Sequence, residues 1–244
     1  MASNAFGVDF FRGCKNDLLV KILEESSNSF RYIVTPNVNH LAMLERSKEL
    51  ALAYSDAYER VCDSRILEPL IRIFGGFNVE VIPGSDLTHE VLGLANTKKL
   101  AVAILGSDEW EVDRVRKRFP YIVFYHYNPP FGFIDDPDEV QACIDFILNY
   151  PANFVFFAVG CPRQEILAHS VYRTGRAVGV GFCVGASISF LSGKVKRAPL
   201  AWRNLRLEWL YRFFQEPRRL GIRYAGDLVQ FLPVFFRELK KRIL

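Results

Sequence analysis

Polar side chains that could bind a ligand follow the first strongly β-prone run of the sequence. This run, 31–38, ends in the polar cluster Thr35-Pro-Asn37-Val-Asn39-His40. Hydroxyl and amide groups in such a cluster suit sugar hydroxyls or a diphosphate, because both need several directional hydrogen bonds. The same residues would also suit the start of a helix, with Asn39 as the capping residue. The segment is therefore a candidate binding site, and a helix cap is the alternative.

A lone carboxylate, Asp63, stands after a short apolar run and close to a proline-containing stretch. If this carboxylate is partly desolvated, its pKa rises towards the working pH and it can act as a general base. An aspartate in a surface turn is the ordinary alternative. Asp63 is therefore a candidate base whose role depends on where the fold puts it.

Two glycine-containing turns could offer backbone N–H groups to an anion. Gly160–Glu165 follows an apolar run and opens a helical pattern, where Arg163 adds positive charge and Gln164 could reach a ligand. An ordinary strand-to-helix turn, with Pro162 in the first helical turn, explains the same residues. The glycines of 179–185 resemble a nucleotide loop, but their spacing matches neither the dinucleotide fingerprint nor the Walker pattern.

Metal-dependent and hydrolytic chemistry find little support in the sequence. Asp136 and Asp138 have the D-x-D spacing of metal-dependent sugar transferases, but acids at a helix start explain them better. The four histidines and five cysteines show no metal-ligand spacing, and no Gly-x-Ser-x-Gly elbow is present. We therefore predict no bound metal and no cofactor.

Alternating strand and helix patterns must position these residues. The predicted strands are the apolar runs at 31–38, 100–106, 121–127, 153–160 and 177–185, and helical patterns cover 39–54, 107–119, 136–150 and 161–175. Ser107 and Asp136 are the predicted helix caps, and Pro137 suits a first turn. Near-continuous apolar strands separated by helices indicate an α/β fold with a parallel sheet covered on both faces. In such sheets ligands bind at the carboxyl ends of the strands.

Composition and charge narrow the class of protein. The chain has 244 residues, is 50% hydrophobic and 24% charged, and contains no uninterrupted apolar run long enough to span a bilayer. Five scattered cysteines indicate free thiols in a reducing compartment. Residues 193–244 hold 13 Lys/Arg against four acids, whereas residues 1–192 hold 18 against 23. A basic segment on a mildly acidic body calls for an anionic partner, which could be a membrane, a nucleic acid or a phosphorylated substrate.

The last 18 residues, 227–244, have the pattern of an amphipathic basic helix. Its apolar residues are Leu228, Phe231, Leu232, Phe235, Phe236 and Leu239, and four cations surround them. Such helices bind anionic lipid surfaces, so we favour a membrane over a helix packed on its own domain or in a dimer. Pro233 argues against one long straight helix.

Taken together, the sequence resembles the WecG/TagA/CpsF glycosyltransferases, family 26, from about residue 5 to residue 225. The segments that carry the resemblance are Thr35-Pro-Asn-x-Asn-His40, Asp63, Pro83-Gly-Ser-Asp-Leu87, Asn128-Pro-Pro-Phe-Gly132, Gly160-x-Pro-Arg-Gln-Glu165, Gly193-x-x-x-Arg197-Ala-Pro199 and Leu207-Glu-Trp-Leu-Tyr-Arg212-x-x-x-Glu216-Pro-x-Arg219. The fifth and the last of these segments are the most specific.

The resemblance implies a Rossmann-like core and a C-terminal appendage that associates with the membrane and helps to complete the active site. On this basis the core is residues 1–194, with a smaller N-terminal lobe to about residue 90, and the appendage is 195–244. Family members move a sugar from a UDP-sugar to a polyprenyl-diphosphate-linked glycan, with inversion and without a metal, in bacterial cell-surface polysaccharide synthesis. The alternative is a non-catalytic membrane-surface protein that keeps the fold.

The resemblance also implies roles for particular residues. Asp63 falls on the family's proposed base, and Thr35 and Asn37 fall on its active-site Thr and Asn. The residues that we assign to the nucleotide donor are Asn39, Gly106, Gly132, Gly160, Arg163, Gln164, Gly185 and Ser189, and those assigned to the diphosphate or acceptor are Arg212, Arg219 and Arg223. The chain departs from the family's usual residues at Ser64, Val81 and Ser189, which surround the expected donor pocket.

The expected partners follow from the same resemblance. They are a UDP-sugar, a polyprenyl-diphosphate-linked acceptor and an anionic membrane surface, with no nucleic acid, and self-association is left open. The expected location is cytoplasmic, peripheral on the inner face of the cell membrane. In the mechanism that we expect, Asp63 deprotonates the acceptor hydroxyl, while arginines and helix N-termini neutralise the departing UDP.

Overall fold

A computed structural model describes residues 4–199, 202, 207–215 and 217–243, without the side chains of Arg212, Arg219, Ile222, Arg223, Arg242 and Ile243. The strands are β1 Asn4–Ala5, β2 Val8–Asp9, β3 Arg31–Val34, β4 Glu59–Arg60, β5 Ala101–Leu105, β6 Val123–Tyr127, β7 Phe154–Phe157 and β8 Val180–Cys183. The helices are α1 Lys15–Glu25, α2 Val38–Leu44, α3 Lys48–Asp56, α4 Leu67–Gly75, α5 Gly84–Lys98, α6 Glu109–Arg118, α7 Pro137–Asn149, α8 Arg163–Arg173, α9 Ser187–Ser192, α10 Glu208–Gln215 and α11 Pro217–Ile243, with a 3₁₀ turn at Phe133–Asp135.

Six parallel strands form the central sheet, in the order β4-β3-β8-β7-β5-β6. Successive side chains of a strand point to opposite faces, and both faces are buried here. In β7, Phe154 and Phe156 join one core cluster, whereas Val155 and Phe157 join the other. This burial on both sides explains why the strands read as continuous apolar runs, and it confirms the predicted α/β class with helices on both faces.

The chain reverses its direction across the sheet between β5 and β7. The connection through α6 carries β5 outwards to β6, whereas the connection through α8 carries β7 the other way to β8. Because both crossovers are expected to be right-handed, the two helices lie on opposite faces. Accordingly, α6 packs with α9 and α8 packs with α3. Such a reversal opens a crevice at the carboxyl ends of the strands.

Local starts of helices differ from the sequence predictions at three places. The predicted helix over 39–54 is two helices, because Ser47 accepts from the Leu50 N–H at 3.1 Å and begins α3. Asn37, and not Asn39, caps α2. The predicted cap Ser107 is also wrong. It has a positive φ of 69°, and the next residue, Asp108, is the N-cap of α6, which begins at Glu109. The predicted start of α7 at Asp136 and Pro137 is confirmed.

The appendage is anchored on the core by the second half of α11, which packs along α2 and touches α4. Phe231 and Val234 are buried, and the Phe231 and Phe235 rings contact Phe6 and Phe74. The alternative of a helix packed on its own domain is therefore right for this face. Helix α11 is continuous through Pro233, which is exposed and lies between the buried Phe231 and Val234. A bend at Pro233, in place of one long straight helix, stays a prediction.

A second face of α11 is exposed and apolar. Leu228, Val229 and Phe236 are 61%, 66% and 60% exposed, and Leu232 lies between them at 42%. At 100° per residue these four side chains fall on one stripe, which we call the outer stripe. No helix in the described residues is both long and apolar enough to cross a bilayer.

Candidate active site

The glycine turns at the carboxyl ends of β5, β7 and β8 line the crevice. Gly106, Gly160 and Gly185 have φ values of +91°, +81° and +54°, in the left-handed region that favours glycine. At Gly106 a Cβ atom would lie only 2.9 Å from the carbonyl oxygen of Ala158, so no other residue fits there. Three of the predicted donor residues therefore shape backbone around one crevice.

Asp63 lies at the start of α5, where its carboxylate Oδ1 accepts a hydrogen bond from the Gly84 N–H at 2.7 Å. The backbone N–H of Asp63 bonds to the Pro36 carbonyl at 3.2 Å, which ties the end of β4 to the segment after β3. Asp63 is half-buried. A carboxylate in this position is stabilised by the positive end of the helix dipole. The structure thus gives Asp63 both a crevice position and a capping role.

Thr35 and Ser187 lie on the other side of Gly84. A Cβ atom built on Gly84 would lie 3.7 Å from Thr35 Oγ1 and 3.6 Å from Ser187 Oγ. Thr35 Oγ1 donates to the Cys183 carbonyl at 2.8 Å, and Ser187 Oγ donates to the Val184 carbonyl at 2.7 Å. The structure therefore brings Thr35 and Asp63 together, and it adds Ser187, which the sequence analysis did not single out.

Asn37 is occupied in shaping the backbone of the site. Its Oδ1 accepts from the N–H groups of Asn39 and His40 at 3.0 and 3.3 Å. The side chain of His40 turns inwards and its Nδ1 lies 2.8 Å from the Tyr54 hydroxyl. The first turn of α2 therefore combines a helix cap with a position at the crevice. The helix cap and the binding site, which the sequence offered as alternatives, are compatible with each other.

Gln164 bridges two of the turns. Its Oε1 accepts from the Gly185 N–H at 2.8 Å, and its Nε2 donates to Glu165 Oε1 at 2.8 Å. Gln164 is 2% exposed, and Glu165 is fully buried. Burial raises the pKa of Glu165 to about 7. Ligand atoms of His40, Cys161 and Glu165 all lie within 4.8 Å of one another, which among the described residues makes this the group that could hold a metal ion.

The remaining predicted donor residues lie further apart. Gly132 follows the edge strand β6 and has a φ of +82°, beside the fully exposed Phe131. Arg163 begins α8 and lines a surface cavity of about 450 Å³ together with Asp135 and Ser170. Ser189 lies in α9, and its carbonyl accepts from the Val195 N–H at 3.2 Å. The D-x-D pair is a helix start, since Asp136 accepts from the Asp138 N–H at 3.0 Å.

One cation near Asp63 was missed by the sequence analysis. Arg197 donates through Nη1 to Asp86, and its Nε lies 3.7 Å from Glu208 Oε1. Its Nε and Nη2 are buried and make no hydrogen bond within the described part of the chain. The hydrogen bond to Asp86 raises the pKa of Arg197, and Asp63 adds a smaller attraction. Its position in Gly193-x-x-x-Arg197-Ala-Pro199 was the only signal in the sequence.

The predicted appendage arginines, Arg212, Arg219 and Arg223, lie on α10 and α11, and their side chains are outside the described residues. Their helices are tied to the site at two points. Arg197 joins Asp86 of α5 to Glu208 of α10, and α11 lies along α2, which begins at Asn37.

Comparisons with known proteins cover nearly the whole chain. The family model described as Glycosyl transferase WecG/TagA/CpsF family matches residues 4–243. Proteins of Staphylococcus aureus strains MW2 and NCTC 8325 / PS 47 are 28% identical over 258 residues, with 96% of this chain and 91% of each relative covered. Both are named N-acetylglucosaminyldiphosphoundecaprenol N-acetyl-beta-D-mannosaminyltransferase. The similarity therefore includes the sheet, the crevice and the appendage.

Proposed function

This chain belongs to the WecG/TagA/CpsF family of glycosyltransferases, and we propose that it moves a sugar from a UDP-sugar to a polyprenyl-diphosphate-linked glycan in bacterial cell-surface polysaccharide synthesis. The observation that carries the proposal is the meeting of Asp63, Thr35 and the N-terminus of α5 at the crevice. A carboxylate beside backbone donors and glycine turns suits a reaction that deprotonates a hydroxyl and binds a diphosphate.

In the proposed mechanism, Asp63 is the general base. It takes the proton of the acceptor hydroxyl, whose oxygen attacks the anomeric carbon of the donor sugar on the face opposite UDP. The bond to the UDP oxygen breaks with its electron pair, so the configuration at the anomeric carbon inverts. The Gly84 N–H holds Asp63 Oδ1 and fixes the direction of the carboxylate. Thr35, close to Gly84, is in a position to orient a sugar hydroxyl.

Charge on the departing UDP must be neutralised, and we propose that guanidinium groups and backbone N–H groups do this without a metal. Arg197 supports the proposal, because it lies near Asp63 and its buried Nη2 makes no hydrogen bond among the described residues. Buried unsatisfied donors are costly, so an anionic ligand is their natural partner. Arg212, Arg219 and Arg223 remain the proposed contacts to the diphosphate or the acceptor.

The acceptor is lipid-linked, and we propose that the outer stripe docks on the membrane surface. Three of its side chains are about 60% exposed or more, and the exposed Lys240 and Lys241 follow it along α11. Exposed apolar side chains beside lysines are typical of helices that lie in the interface of an anionic bilayer. This supports a peripheral position on the cytoplasmic face of the cell membrane.

The proposal is tested by incubating the purified protein with a panel of UDP-sugars and a short-chain polyprenyl-diphosphate-linked N-acetylglucosamine. The relatives' printed names make this acceptor the first choice. We expect UDP release and a glycosylated lipid for at least one donor, with a β-linked product from an α-linked donor. UDP-sugar hydrolysis that does not depend on the acceptor, or a product with retained configuration, would contradict the proposal.

A further inference from the structure

The Gln164 amide is held at both ends by protein groups. Its oxygen accepts from Gly185, which is in the turn after β8, and its nitrogen donates to Glu165 in the first turn of α8. An ionised carboxylate can only accept hydrogen bonds, and the Gly185 N–H can only donate. The two neighbours therefore allow one orientation of the Gln164 amide and exclude the flipped one.

Glu165 is a carboxylic acid in a fully buried position beside the crevice, where acidic residues are rarely found. Its Oε2 makes no hydrogen bond to any residue that the structure describes. The groups that offset its burial are the Gln164 side chain, its own backbone and Cys161. None of these is a cation. The titratable groups that face it are Cys161 before α8, His40 of α2, Tyr54 of α3 and Cys183 of β8. A lone buried carboxyl group is costly to keep.

We propose that Glu165 is a positioning residue for the nucleotide site, because it fixes the Gln164 amide and, through it, the Gly185 turn. This inference rests on the proposed function for the statement that the Gly185 turn is part of the donor pocket. Glu165 itself touches neither donor nor acceptor, since it has no exposed surface. By accepting from Gln164 Nε2, Glu165 keeps the Gln164 oxygen directed at the Gly185 N–H, and so holds the Gly185 turn in place at the crevice.

The first test needs no substrate. Hydrogen exchange of the Gly185 N–H is measured by NMR at one pH in the wild type, Glu165→Ala and Glu165→Gln. We expect at least a tenfold loss of protection in Glu165→Ala and near-wild-type protection in Glu165→Gln, whose amide oxygen can still accept from Gln164. Glu111→Gln is the matched control. Like Glu165, Glu111 is a buried glutamate in the first turn of a helix, here α6, and it is 1% exposed. Unchanged Gly185 protection in Glu165→Ala overturns the inference.

The second test uses the transfer reaction and the same variants. In Glu165→Ala we expect the donor KM to rise about three- to tenfold while kcat changes little, and in Glu165→Gln we expect most of this rise to be absent because its amide oxygen can still accept from Gln164. A merely structural glutamate would lower stability without changing the donor KM selectively. A donor KM in Glu165→Ala equal to that of the wild type contradicts the inference.

The two tests separate this inference from the proposed function. If no UDP-sugar is used at all, the proposed function fails, while the exchange experiment still decides whether Glu165 fixes the Gly185 turn. If Glu165→Ala does not fold, Glu165→Asp decides it instead, because the shorter side chain withdraws the carboxylate from Gln164 Nε2. We expect Glu165→Asp to lose Gly185 protection, and wild-type protection in this variant overturns the inference.

Discussion

At the scale of single residues, the functional contacts join parts of the chain that no local pattern connects. Asp63 meets Gly84, which is 21 residues away, and Arg197 meets Asp86, which is 111 residues away. Residue types and strand ends made Asp63 a candidate, but only the fold shows its partner. Sequence spacing predicts contacts within a helix or strand, whereas these contacts depend on how strands order in the sheet.

Asp63→Asn should lower turnover by about 10²–10⁴, because an amide cannot take the proton of the acceptor hydroxyl. The fold should persist, since the amide oxygen can still accept from the Gly84 N–H. UDP release with the lipid acceptor measures the first effect and thermal unfolding the second. Asp136→Asn is the matched control, as Asp136 also accepts a backbone N–H at a helix start. Turnover of Asp63→Asn within a few-fold of the wild type would remove Asp63 from the mechanism.

Arg197→Lys should raise the donor KM by about 10-fold or more, because lysine keeps the charge but lacks the second and third donor groups of the guanidinium. Arg173→Lys, an exposed position in the last turn of α8, is the control. Initial-rate kinetics over a range of donor concentrations give the answer. Equal donor KM values in Arg197→Lys and wild type would mean that Arg197 only ties the appendage to α5.

Glu165 also links stability to pH. Its folded-state pKa is raised from 4.5 to about 7, so above pH 4.5 the unfolded chain releases this proton first and the folded state loses stability until about pH 7. The loss is about 3 kcal/mol at most. Glu165→Gln should therefore gain relative to the wild type between pH 5 and pH 8, as measured by urea unfolding. A constant difference across this range would contradict the raised pKa.

At the scale of helices and strands, the apolar pattern predicted which strands and helices are present better than it predicted where each one begins and ends. β5 and β7 fall inside their predicted runs, since burial on both faces requires apolar side chains throughout. The edge strand β6 also falls inside its run, although its side chains are only partly buried or exposed. The break between α2 and α3 was not predicted, because Leu41, Leu44 and Leu50 keep a helical spacing across it. The structure shows that Ser47 caps α3, but a serine inside a helical pattern does not by itself indicate that one helix ends and another begins.

The continuity of α11 through Pro233 also depends on contacts that are distant in sequence. Local propensity predicts a kink or break at this proline, because a proline inside a helix costs about 3 kcal/mol. Burial of Phe231 and Val234 against α2 and the N-terminal hairpin opposes it, and this burial depends on residues more than 150 positions away. Tertiary packing thus outweighed a correct local rule.

The outer stripe gives a prediction at this scale. The double variant Leu228→Glu, Phe236→Glu should bind anionic vesicles at least tenfold more weakly, because each side chain contributes about 1.5–3 kcal/mol when it leaves water. Stability should change little, since both side chains are already exposed in the free protein. Val20→Glu, at an apolar position of α1 that is 57% exposed, is the control in the same co-sedimentation assay. Wild-type vesicle binding by the double variant would show that α11 does not dock through this stripe.

At the scale of the whole molecule, the appendage is tied to the core by apolar packing and by charge. α11 covers α2, Arg237 pairs with Glu45, and Arg197 joins α5 to α10. The division at residues 194 and 195 stays a prediction.

Deletion of residues 195–244 should abolish both transfer and vesicle binding, and it should lower the melting temperature because the apolar surface under Phe231 and Val234 becomes exposed. The outer-stripe double variant is the control, since it should lose vesicle binding and keep stability. A short-chain acceptor that stays in solution separates the two functions. The double variant should use it at nearly the wild-type rate, whereas the deletion should not use it. Transfer by the deleted protein would mean that the core alone holds the active site.

The two apolar faces of α11 have a geometric consequence. One face packs on α2 and the other faces outwards, so the helix is a spacer about 10 Å thick on the outside of α2. With the proposed docking of the outer stripe on a bilayer, this thickness would set the distance between the lipid headgroups and the candidate crevice, where α2 starts. A short lipid-linked glycan would then hold its reactive oxygen within that distance, whereas the growing end of a long polymer would lie beyond it.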